Sequence, residues 1–348
     1  VDHQKFGRSG HGGNCITECQ NGDVVSFYPN TSGEILAGHG VAGWSEYRRS
    51  KDGGKTWSSP SILDYSKRAW EGDDLYSALV FAVTTAPNGT LIAFILRFDG
   101  EPWIKKFTPV YLMSHDQGYT WSDPYPLDTG ANVEEVSFTL DAVFVHNSQI
   151  FAVFMGGSPT YSDGPYSLYV SGNNGETFEK RSLLPFDCRN YYVTAGVLDQ
   201  GEIIVYSYAY RTDTPIDEYN IDYVISIDEG RTWSEVQTTK FARAIRNPQL
   251  SSKIGNLYFL HGRSGSMSHD PGNLVLYSSP DGIHWDDGII LHRKPFPNGY
   301  DAYSANEVIG KYDQTVPNRL LIQSSIVYDA ESKRVNEHHW WVEEIDGT

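Results

Sequence analysis

Short apolar runs come in pairs along this chain, each pair hinged on a polar turn. "NCITEC" is answered by "NGDVVSFYPN" from Asn21, and "LVFAVTT" by "NGTLIAFILR" from Asn88. The same succession joins "LDAVFV" to "NSQIFAVFMG" (Asn147), "VTAGVL" to "QGEIIVYSYA" (Gln200), "NPQLSS" to "IGNLYFLHGR" (Ile254) and "SANEVI" to "NRLLIQSSIV" (Asn318). Runs of this length, rich in β-branched and aromatic residues and bounded by turn residues, predict strands. No segment carries sustained apolar spacing at helical period, so the pattern predicts six antiparallel hairpins in an all-β chain.

A second repeat follows five of the hairpins. "SKDGGKTW" (Ser50 to Trp57) returns as "SHDQGYTW" (Ser114), "SGNNGETF" (Ser171) and "SIDEGRTW" (Ser226), with a degenerate copy "SSPDGIHW" from Ser278. The closing aromatics fall 64, 57, 55 and 52 residues apart. Asp52, Asp116 and Asp228 are placed to accept backbone N–H groups as Asx turns do, and the glycines supply a positive φ. The repeating unit is strand, turn, strand, connection, strand, aspartate turn, strand. Six such units tile residues 1–348 as one domain and predict a six-bladed β-propeller of four-stranded antiparallel blades.

Composition narrows the partners. A formal charge of −17 argues against nucleic acid or an anionic membrane surface, and no apolar stretch is long enough to span a bilayer. With 23 tyrosines and 14 % aromatic residues, the chain suits a β-rich core and a carbohydrate-handling surface. Cys15 and Cys19 lie four apart on an expected strand, on the order of 13 Å, too far to bridge. Cys188 leaves the three thiols read as free and buried. No His or Cys cluster has metal-ligand spacing, and His338 and His339 alternate faces, so no metal or cofactor is expected.

In a propeller the starts of first strands and the ends of second strands converge on one mouth of the central channel. Those positions carry Tyr76, Tyr191, Tyr192, Arg246, Asn247 and Tyr303 at starts, and Asn30, Arg97 and Arg263 at ends, with Arg211 just beyond another end. Arginines and tyrosines gathered at one mouth of an acidic protein point to an anionic sugar.

The aspartate turns resemble the Asp-box, or BNR, repeats of the sialidase superfamily over about five of six units. The resemblance implies a tyrosine nucleophile with a glutamate partner, an arginine triad for the substrate carboxylate, and an acid/base aspartate. Tyrosine suits a substrate whose anomeric carbon bears a carboxylate, which would repel an anionic nucleophile. "DAYSANEVI" resembles the family's last-blade opening and places Tyr303 as nucleophile; "GNLYFLHGRSG" places Arg263 in the triad. "RNPQLSSKIGN" puts Asn247 where the glutamate is expected, with Arg246 beside it as the best further arginine. His11, Gly12 and Gly13 stand where the first arginine would be, and the loop expected to hold the acid offers Glu34 and His39, with Asp74 as a further proton donor. The expectation is an exo-acting glycoside hydrolase, secreted or periplasmic, that releases an acidic sugar. A uronate-polysaccharide lyase and a non-catalytic carbohydrate-binding propeller stay open. Its catalytic set is Tyr303, Arg263, Arg246, His39 and Asp74, with Arg97, Arg211, Asn247, Tyr191 and His11 binding substrate. The sequence leaves the oligomeric state undetermined.

Overall fold

The computed structural model describes residues 14–32, 42–72, 76–98, 110–127, 138–155, 166–186, 190–209, 220–243, 245–264, 273–293, 303–313, 315–329 and 334–343. They form six antiparallel meanders in chain order. The first blade is β1 (Cys15–Glu18), β2 (Val24–Ser32), β3 (Ala42–Ser50) and β4 (Ser61–Ile62). A helix, α1 (Asp64–Glu71), leads to the second: β5 (Ser77–Thr85), β6 (Leu91–Phe98), β7 (Val110–Ser114) and β8 (Tyr125–Pro126). The third holds β9 (Phe138–His146), β10 (Gln149–Met155), β11 (Tyr166–Ser171) and β12 (Glu179–Leu183). The fourth holds β13 (Asn190–Val197), β14 (Ile203–Ala209), β15 (Asn220–Ser226) and β16 (Gln237–Lys240). The fifth holds β17 (Ile245–Leu250), β18 (Tyr258–Ser264), β19 (Leu274–Ser279) and β20 (Ile289–His292). The sixth comprises, among the described residues, β21 (Ser304–Ile309), β22 (Arg319–Asp329) and β23 (Arg334–Glu343).

The innermost strands touch in a closed cycle, β1 to β5, β9, β13, β17, β21 and back to β1, which makes the six-bladed propeller. Each blade is sandwiched between two others, so β5 is buried on both faces, whereas the outer β4 and β8 are exposed. Six apolar clusters fill the six gaps. Phe27, Val80 and Leu112 pack between the first two blades; Ile16, Val24 and Leu321 pack between the first and the last.

The helix departs from the all-β expectation. It is two turns long, shorter than the span over which helical periodicity becomes visible. Tyr65, Ser66 and Ala69 form its buried face; Ser66 Oγ accepts from the Ser45 amide at 2.8 Å and donates to the Ala78 carbonyl.

The aspartate turns are built alike. In the first, Gly54 N donates to Ser50 Oγ at 2.7 Å, and Thr56 N and Oγ1 donate to Asp52 at 2.8 and 2.6 Å. These bonds, led by the Thr56 hydroxyl, hold the exposed Asp52 carboxyl at about 2. The fifth turn corrects the sequence alignment. Its serine is Ser279 and its acid is Asp281, so the loop is one residue shorter, and Ser278 instead donates to Asp286. Because β3, β7, β11, β15 and β19 end in these turns, the turns lie on the face opposite the mouth. There each docks on the preceding blade: an added Cβ at Gly175 would lie 2.1 Å from Ile92 Cδ1, and at Gly230 2.2 Å from Leu168 Cδ2.

Cys15 and Cys19 are buried; Cys188 lies outside the described residues. His339 stacks on Trp57 at 4.8 Å while His338 packs towards His292 at 5.5 Å, so the two face different blades.

Candidate active site

Arg263 is the last residue but one of β18, and Tyr303 immediately precedes β21 of the next blade. The Arg263 guanidinium carbon lies 4.9 Å from the centre of the Tyr303 ring. Arg246 is the cross-strand partner of Arg263, so both guanidinium groups spring from one end of the fifth blade. Arg246 also lies over Tyr208, at 5.9 Å, and its buried Nε has no hydrogen-bond partner among the described residues.

The residue that meets the Tyr303 hydroxyl is Tyr192, at 3.1 Å between the two oxygens. Tyr192 opens the fourth blade and Tyr303 the sixth, so two non-adjacent blades meet here, as inner-strand openings converging on the channel must. Tyr192 has φ +49 and sits in a bulge of β13, where the pairing jumps from Tyr191 to Val193. Positive φ is strained for a bulky residue, and bulges beside active sites re-aim side chains.

The same device recurs one blade on. Asn247, φ +51, lies in the bulge of β17 between Arg246 and Gln249. It is buried, and its Oδ1 accepts from Arg263 Nε at 2.9 Å and from a second guanidinium nitrogen. Asn247 therefore orients Arg263. The group that meets the Tyr303 hydroxyl is a tyrosine from another blade. Gly262 makes the bulge possible, since a Cβ there would lie 2.8 Å from the Arg246 carbonyl oxygen.

Opposed influences set the protonation of Tyr303. Burial is the largest influence and raises its pKa; the Tyr192 hydroxyl adds to the rise, and Arg263 and Arg246 oppose it without prevailing. The resting group is a phenol.

Arg97, the last residue but one of β6 in the second blade, lies over Tyr76 at 5.9 Å, while the Tyr76 hydroxyl is 3.1 Å from that of Tyr65 on α1. Asn30 is buried and donates to Glu46 at 2.5 Å. The backbone of Tyr191 pairs with Tyr208. His11, Glu34, His39, Asp74 and Arg211 lie outside the described residues. Among the described residues no cluster of His, Cys, Asp and Glu could hold a metal, and no helix is long and apolar enough to cross a membrane.

Sequence reasoning set Arg263, Arg246, Tyr303 and Tyr192 at strand ends and starts but gave Tyr192 no role. Its one signal was the doubled "YY" at a first-strand start; the backbone inversion that turns the second ring inward has no signature in residue type.

A sequence profile of the BNR repeat-like domain matches residues 48–314, most of the chain. The chain belongs to the BNR repeat-like family. No curated protein matches it. Among solved structures, a protein of unknown function from Dyadobacter fermentans is similar, with TM-score 0.67 and 16% identity over 95% of this chain and 94% of that one. The Hadza microbial sialidase Hz136 gives TM-score 0.70 and 14% identity over 96% of this chain, which spans 66% of that one. The intramolecular trans-sialidase of Ruminococcus gnavus gives 0.65 and 11%, over 97% and 95%. This BNR repeat-like chain thus has a sialidase-like propeller fold. At such identities the likeness carries the fold and leaves the chemistry to be argued from its own residues.

Proposed function

We propose that this BNR repeat-like propeller is a glycan-active enzyme that takes an acidic sugar at the channel mouth and reacts with it through Tyr303, as an exo-acting glycosidase. The observation that carries the proposal is the joining of Arg263, Tyr303 and Tyr192 from three blades into one cluster. In this reading Arg263 and Arg246 bind the sugar carboxylate, and Asn247 fixes the plane of the Arg263 fork. The Tyr303 oxygen attacks the anomeric carbon while its proton passes to the Tyr192 oxygen, which releases its own proton outward. The bond to the leaving oxygen breaks as that oxygen is protonated, with His39, Asp74 or Glu34 proposed as donor. Water then attacks the anomeric carbon of the tyrosyl glycoside, the Tyr303 oxygen leaves, and a proton from the water returns to it.

One observation favours a second reading. The group beside Tyr303 is a phenol rather than a carboxylate, and a tyrosine pair suits proton abstraction and return. In a uronate lyase, Tyr303 as its phenolate would take the C5 proton, the arginines would neutralise the carboxylate, and a double bond would form as the C4 oxygen leaves with a proton given by Tyr192. Incubation with a panel of sialosides and uronic-acid polysaccharides separates the readings. New reducing ends without ultraviolet absorbance support the glycosidase; ends with the absorbance of a conjugated double bond support the lyase. Retained binding without new ends overturns both and leaves a carbohydrate-binding propeller.

A further inference from the structure

His261 is wholly buried in β18, two residues before Arg263, and residues two apart on a strand share a face. Both of its ring nitrogens reach the first strand of the sixth blade. Nδ1 lies 2.8 Å from Ser304 Oγ, and Nε2 lies 2.9 Å from Asn306 Nδ2. The Asn306 amide nitrogen also donates to the Leu250 carbonyl, at 3.3 Å, which orients the amide. An amide nitrogen only donates, so His261 Nε2 accepts and Nδ1 carries the proton, given to Ser304. Burial lowers the imidazole pKa to about 3, and the neutral ring keeps this tautomer through the neutral range.

These bonds sit beside the proposed reacting groups. Ser304 follows Tyr303 directly, and Ser324 Oγ donates to the Tyr303 carbonyl at 3.2 Å from the other flank. One strand, β18, therefore carries both the guanidinium over the ring and the imidazole that grips the ring's own strand.

We infer that His261 is a positioning residue: by pinning β21 to β18 through Ser304 and Asn306, it sets the separation between the Arg263 guanidinium and Tyr303. The inference rests on the chemistry proposed at Tyr303. His261 has no exposed surface and touches no substrate. A loosened seam shifts the phenol relative to the arginines that lower its pKa, and small displacements of reacting groups cost rate more than binding.

The test uses His261→Phe, which fills the space without hydrogen bonds, His261→Gln, which can donate and accept, and Ser304→Ala, which removes one bond and little volume. Each is assayed for kcat and KM across pH on the substrate found active for the wild type. His261→Phe and Ser304→Ala are expected to lower kcat about tenfold or more, with KM changed less than about threefold and the alkaline limb displaced upward. His261→Gln restores most of kcat. Full activity in Ser304→Ala and in folded His261→Phe, beside an inactive Tyr303→Phe, overturns the positioning role and spares the proposed chemistry. A loss with an unmoved pH profile and no rescue by glutamine also overturns it. A wild type inactive on every acidic glycan overturns both; should His261→Phe fail to fold, Ser304→Ala decides.

Discussion

At Tyr303 two influences compete: burial holds the hydroxyl protonated, while Arg263 and Arg246 pull towards the phenolate. Because the pKa is raised, the deprotonated fraction is small at neutral pH and grows about tenfold per pH unit below that pKa. If Tyr303 reacts as the phenolate, kcat/KM climbs through neutrality into the alkaline range, and a profile falling above pH 7 would contradict that role. Tyr303→Phe keeps the ring beneath Arg263 and removes only the oxygen. It is expected to cost about a hundredfold or more in kcat at unchanged melting temperature. A loss within about tenfold, roughly 1.4 kcal/mol of barrier, would make the residue structural. Arg263 and Tyr303 were legible because strand ends and starts are fixed by the repeat. The positions of Tyr192 and Asn247 were legible for the same reason, but their positive φ at two bulges was not, because neither residue type announces that conformation.

The aspartate turn is the element that joins blade to blade. In the third copy Ser171 and Asn173 satisfy the loop's own amides, leaving a glycine face for the neighbour. Gly175→Ala meets two obstacles: φ +89, and Ile92 Cδ1 at 2.1 Å from the new Cβ. Gly22 shares the first obstacle, at φ +84, but has nothing within 4 Å. Thermal unfolding of the two alanine variants separates the effects. Gly22→Ala is expected to cost about 1 kcal/mol of strain and Gly175→Ala at least about 2 more; equal losses would show that the blade contact is soft. The repeat was plain in the sequence because each copy needs the same serine, aspartate or asparagine, and glycine. The fifth copy was misaligned by one residue, since a turn anchored on Ser279 and Asp281 makes the same bonds with a shorter loop.

The whole molecule depends on the seam where the sixth blade meets the first. Glu18 accepts from the amides of Gly310 and Lys311 at 2.6 and 3.0 Å, and the Trp341 indole donates to the Gly53 carbonyl at 2.8 Å. Higher in the same seam, Gln323 accepts from Ser26 at 2.7 Å and donates to Glu337 at 3.2 Å. Burial raises the Glu337 carboxyl to about 8, above the usual carboxylate range, while Gln323 and Arg48 act to lower it. Between about 4.5 and 8 the folded chain holds a proton that the unfolded chain has lost, so stability from this group falls as pH rises. Glu337→Gln should therefore raise the melting temperature at pH 9 and leave it nearly unchanged at pH 5. A variant equally stabilised at both would show that the carboxyl does not titrate across the seam.

That seam has a consequence in time. β1 is synthesised first and β21 to β23 last, yet the seam joins them by bonds spanning nearly the whole chain, as between Glu18 and Gly310 or Ser26 and Gln323. Contacts so distant in sequence form late, and until they do the first and fifth blades keep open apolar flanks of the kind that invite aggregation. Tyr303 emerges with the very segment that shuts the circle, after Arg263 and Tyr192 are already in place. A nascent or truncated chain stopping short of β21 holds the arginines and the second tyrosine but has no Tyr303 to set between them, so the arginine–tyrosine cluster and the closed molecule come into being together.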